Sequence, residues 1–264
     1  MIATPRSTRR SLSRRTRVLG ASAIALTGTL KYNGTGHSTN RSITFTGATP
    51  ALDASGSGAV TYSAVTQAAG ARTITFTGSS TAANTLSAAL SDGTGAVSLA
   101  KSGAGKWVLS NATVNYTGTT SVSAGTLNLG SINRTLLGAV SISGGTIENS
   151  TNTLSANVTM TGGTITAELT GAKTLDVNSG SAATLSPTNN ANTYSGATTV
   201  ASGGILRLIT AVNPTLGGGK VLGTGNVSVT GEIKTSASGL QRGQMRYGGN
   251  LTFNAGAKLH VGLA

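Results

Sequence analysis

Only six acidic side chains in this chain are available for acid–base chemistry: Asp53, Asp92, Glu148, Glu168, Asp176 and Glu232. Glu148 and Glu168 are separated by about one turn of a coiled β fold, so they are the one pair that could flank a glycosidic bond. The competing reading is two solvated surface residues. His37 and His260 sit near opposite ends of the chain, too far apart in an elongated fold to share a metal or a nucleophile–base pair. Gly103-Ala104-Gly105-Lys106 and Gly217-Gly218-Gly219-Lys220 look superficially like phosphate loops. Both lack the Ser/Thr that must follow the Lys, so they read as turns. Trp107, Tyr116 and Tyr194 could form a sugar-stacking platform, but a structural role at equivalent positions is the stronger expectation. With no cysteine and no calcium-type Asp/Gly repeat, neither a thiolate metal site nor any other cofactor is expected.

Net charge is +13, yet six arginines (Arg6, Arg9, Arg10, Arg14, Arg15 and Arg17) all fall before Val18. The other cations are scattered singly and lack the clustering and interleaved aromatics of a nucleic-acid surface, so no nucleic-acid partner is expected. The basic start leads into an apolar run, Val18 to Leu26, which is the plan of an export signal. Residues 1–28 are therefore read as a leader and 29–264 as the body. No stretch approaches the ~20 apolar residues of a membrane-spanning helix.

The elements that must position these side chains are short and β-like. Thr (44), Gly (38) and Ser (31) dominate, and only 9% of residues are charged. Thr and Val suit half-buried pleated surfaces, and Gly suits tight turns. Tyr116-Thr117-Gly118-Thr119-Thr120-Ser121-Val122-Ser123-Ala124-Gly125 is rewritten from Tyr194 to Gly203. Val140 to Ile147 recurs at close spacing as Val158 to Ile165, and Arg41 to Gly47 recurs at wider spacing as Arg72 to Gly78. Apolar residues alternate with Ser or Thr in each, the signature of a strand with one buried face. A period of roughly 18–25 residues predicts stacked coils of a parallel β-helix, all-β, with about 10–12 coils and a length on the order of 50 Å. Thr-x-Thr strings at Thr44, Thr73, Thr75, Thr159 and Thr164 are spaced too irregularly for a flat ice-binding array.

Leu99-Ala100-Lys101-Ser102-Gly103-Ala104-Gly105-Lys106-Trp107-Val108-Leu109-Ser110, followed by Tyr116-Thr117-Gly118-Thr119-Thr120 and Ala124-Gly125-Thr126-Leu127, resembles the autotransporter-associated β-strand repeat. Ala100, Lys106 and Asn111 depart from the usual pattern. A second copy, Leu185 to Leu208, keeps the half that starts at Tyr194 and lacks the Gly-x-Gly-x-Trp half. The resemblance implies a right-handed parallel β-helix (a solenoid) within an exported surface protein of adhesin-like passenger type; the scattered acids make a non-enzymatic role the expectation. Its partner would be a surface polysaccharide or a neighbouring or host cell surface. The residues it marks are structural: Gly103, Gly105, Trp107, Tyr116, Gly118, Thr120, Val122, Gly125 and Leu127, then Tyr194, Gly196, Thr199, Val200 and Gly203. No barrel of alternating strands with aromatic girdles precedes Ala264, so a passenger piece or short secreted relative is expected. A carbohydrate-active enzyme on the same scaffold and a non-functional fragment are the alternatives.

Overall fold

The structure, a computed structural model, describes residues 22–149, 152–187, 192–210, 222–237 and 247–261. Among these the chain forms only short strands joined by turns. Val97–Lys101 shows why: its alternate side chains are buried and its intervening ones half-exposed. Period-two burial gives each strand one core face, and two such strands joined by a corner cannot close a core alone.

The strands therefore stack, and among the described residues they pair in parallel. A first face runs through eleven strands from Thr29–Tyr32 to Leu251–Phe253. A second face runs through eleven more, from His37–Thr39 to Lys258–Val261. A third, discontinuous face holds Ile24–Leu26, Ile43–Phe45 and Val65–Gln67 near one end. Further along, a separate stack holds Arg134–Thr135, Thr153–Ser155 and Glu168–Leu169. Eleven strands per long face, at ~4.8 Å per step, span about 50 Å. One apolar core runs down the axis, with Phe45, Phe76, Trp107, Ile142, Leu185 and Leu206 all buried.

Corner loops absorb differences in rung length while the strands keep register. Val158 pairs with Leu175, 17 residues on, whereas Thr198 pairs with Val227, 29 residues on. The closely spaced copy is a true rung, since Val140 pairs with Val158 and Thr146 with Thr164. The widely spaced one is not: Ile43–Phe45 lies on the third face and Arg72–Thr77 on the first. Irregular spacing in the sequence also conceals a regular column, because Thr126, Thr146, Thr164 and Thr184 stand in register on the second face. Ile24–Leu26, inside the segment read as a leader, pairs with Ile43–Phe45 and so belongs to the solenoid. Residues 1–21, with their six arginines, lie outside the described residues, as does Gly217 to Lys220.

Candidate functional site

The residues of the repeat build corners and core. Gly103 and Gly125 turn the chain from first face to second with φ of 67° and 65°, a region that favours glycine. A Cβ on Gly125 would strike the carbonyls of Gly103 and Gly105 one rung away. Gly105 N–H donates to Gly78 O at 2.9 Å, and Thr126 N–H to Gly105 O at 3.1 Å, so successive corners are bonded to one another. Lys101 seals this column from within. It is 1% exposed, and its ammonium donates to Ser102 O (2.7 Å), Gly103 O (2.7 Å) and Ala124 O (3.0 Å), joining two rungs. Burial, with no carboxylate among those partners, pulls its pKa down to about 8.

Trp107 projects inward from the second-face strand Lys106–Leu109. Its indole stacks on Phe76 of the first face (centroids 4.7 Å apart, 18°) and on Tyr62 (6.2 Å, 11°). Its N–H donates to Thr77 O at 2.9 Å, satisfying a corner carbonyl. Leu127, in register with Trp107, is fully buried beside it.

Tyr116 and Tyr194 enter the core just before first-face strands, each 1% exposed. Their hydroxyls pair with Thr120 Oγ1 at 2.6 Å and Thr198 Oγ1 at 2.5 Å. Burial pushes both phenols up to about 12. Thr120 corresponds to Thr198, at the same spacing from its tyrosine; Thr199, named among the repeat residues, is exposed on the outer side of Thr198–Val200. Val122 and Val200 occupy matching core positions. Gly118 and Gly196 pass so close to the preceding rung that a Cβ would meet Val97 O or Lys173 O. Gly203 takes the corner with φ 73°. With Trp107, Tyr116 and Tyr194 all buried, the three do not make a sugar-stacking platform.

Arg72, Lys101 and Arg134 are among the cations scattered singly along the sequence, and the structure buries all three. Arg72 donates to Phe45 O (2.6 Å), Gly47 O (2.9 Å) and Ala69 O (2.9 Å). Arg134 donates to Leu129 O (2.8 Å), Leu109 O (2.7 Å), Asn111 O (2.6 Å) and Ala112 O (3.0 Å). Converging carbonyl dipoles replace lost water around each charge. The signal that finds two of them is parity: Arg72 shares the inward phase of Ile74 and Phe76, as Lys101 does that of Leu99.

The one carboxylate pair considered for hydrolysis is split. Glu148 lies on the second face and pairs with Lys106 at 2.7 Å, whose hydrogen bond holds its carboxyl below the usual range. Glu168 lies outside that face, buried beside Leu169. His37 and His260 occupy the first and last strands of the second face, ten steps apart. Among the described residues no three His, Cys, Asp or Glu side chains gather as a metal site, and no helix is long and apolar enough to cross a membrane.

A solenoid whose motif residues hold up corners and core, with polar rows outside, defines a structural repeat protein. Residues 99–129 and 182–208 match the passenger-associated-transport-repeat family. The chain is 39% identical over 108 residues to the adhesin BmaC autotransporter of Brucella suis biovar 1 (strain 1330), covering 39% of this chain and 3% of that protein. No solved structure matches the chain significantly. Two segments of the chain are thus similar to autotransporter-passenger repeats, and the chain spans only a small part of the length of the adhesin that it matches.

Proposed function

We propose that this chain is a non-enzymatic module of an exported surface protein, whose outer faces make adhesive contacts with glycans or cell surfaces. The observation that carries this reading is the division of labour in the repeat. Its distinctive residues are used up inside the solenoid, and what faces solvent is rows of Thr, Ser and scattered charge. The relative's printed name, an autotransporter adhesin, supports the same reading. The basic start and the apolar run that follows it support an export leader within residues 1–28.

Beads coated with the purified chain test the proposal. They should be retained on cell or polysaccharide surfaces more than albumin-coated beads, with no reducing ends released from a polysaccharide panel. Release of reducing ends that is lost in Glu148→Gln or Glu168→Gln would overturn it, as would retention no better than albumin.

A further inference from the structure

The second face carries an outward column that changes character along the rod. Thr126, Thr146, Thr164 and Thr184 stand on consecutive rungs, and the same column continues through Arg207, Lys234 and His260. Arg207 is exposed, and the Lys234 and His260 side chains are 37% and 57% exposed. Glu232 sits beside this column and pairs with Lys234 at 3.1 Å and His260 at 2.8 Å, which holds both in place. Lys258, in register with Glu232, adds a further cation. The first face differs: at these rungs its outer row runs Thr159, Asp176, Thr199, Ser228 and Thr252, with no matching cations.

From this asymmetry we infer that the second face binds an extended acidic polysaccharide laid along the rod axis. Sugar hydroxyls lie on the threonine rows and sugar carboxylates on Arg207 and Lys234. The inference rests on the surface-module reading and names its ligand class. A rung step of ~4.8 Å is about the length of one sugar ring in an extended glycan, so one sugar meets one rung. Arginine offers a forked pair of donors that fits a planar carboxylate, and weak contacts repeated along a polymer add through effective concentration. A nucleic acid is the poorer fit, because Trp107 and Tyr62 on this face point inward and leave no platform for base stacking.

The test is biolayer interferometry of the full chain on immobilised polygalacturonate at physiological salt, with dextran as the uncharged probe and double-stranded DNA as a second polyanion. Polygalacturonate should bind and dextran should not. R207A/K234A should weaken binding on the order of tenfold, while K31A/K173A, which removes equal charge elsewhere, leaves it unchanged. T146V/T164V should weaken it several-fold with charge intact, each variant melting at the parental temperature. Equal loss in K31A/K173A, equal affinity for dextran or DNA, or loss on Gln replacement of the six N-terminal arginines would overturn the inference. So would failure on polygalacturonate while coated beads still adhere, which leaves the surface-module reading standing. Binding here with beads that do not adhere would overturn that reading instead.

Discussion

Tyr116 sets its phenol oxygen 2.6 Å from the Thr120 hydroxyl, and Tyr194 repeats the contact with Thr198 at 2.5 Å, four rungs away. Both threonines are buried, so neither hydroxyl can turn to water instead. Tyr116→Phe should therefore cost about 1–2 kcal/mol by stranding Thr120, seen as a lower midpoint in urea unfolding. Adding Thr120→Val should return part of that loss, since both partners are then apolar. Full additivity of the two changes would contradict the pairing.

Gly125→Val should distort the corner and destabilise neighbouring rungs by about 2 kcal/mol or more, because a positive φ and two close carbonyls oppose any side chain. Gly28→Ala is the control: a Cβ there has nothing within 4 Å. Thermal unfolding followed by circular dichroism separates them, and a parental midpoint for Gly125→Val would count against the corner assignment.

Lys101 gives a pH signature with a definite sign. Its folded pKa of about 8 lies below the ordinary lysine value of 10.5. Between those values the unfolded chain binds a proton that the folded chain does not. Stability from this site is therefore fully present above the ordinary value and is lost as pH falls through 8. The buried tyrosines act oppositely at high pH, but they are common to both proteins in a comparison with Lys101→Met. The wild-type advantage over that variant should widen by about 1–3 kcal/mol as pH rises across this window. Urea titrations at both ends measure it, and a constant gap would refute the lowered pKa that burial gives Lys101.

Trp107 is the only tryptophan, so fluorescence reports on the stacked Phe76–Trp107–Tyr62 core. Trp107→Phe should lose the bond to Thr77 O, and Trp107→Ala should cost about 3–5 kcal/mol. Parental emission should be blue-shifted and should unfold together with the β signal. A solvent-exposed emission maximum would contradict the buried placement.

Alternation of apolar and hydroxyl residues makes the strands legible, and the copy of Val140 at Val158 discloses the stacking. The copy of Tyr116 at Tyr194 marks four rungs rather than one, because the rungs between keep only the inward parity and the corner turn. Arg41 to Gly47 misleads for a physical reason: any strand on any face of this core needs the same alternation, so likeness does not assign a face. The Thr198 partner of Tyr194 is legible from spacing, four residues on as Thr120 is from Tyr116, while the parity of the strand puts Thr199 outside. Buried Arg72, Lys101 and Arg134 are unreadable from charge alone. Each is received by carbonyls remote in sequence, among them those of Phe45, Ala124 and Leu109, which only the stacking of rungs brings near.

The most direct test of the account is an immunoblot of cell fractions from the source organism, with and without protease added to intact cells. The account predicts a surface species that protease removes from unbroken cells. A soluble band near 25.9 kDa, protected until the cells are lysed, would contradict the surface role.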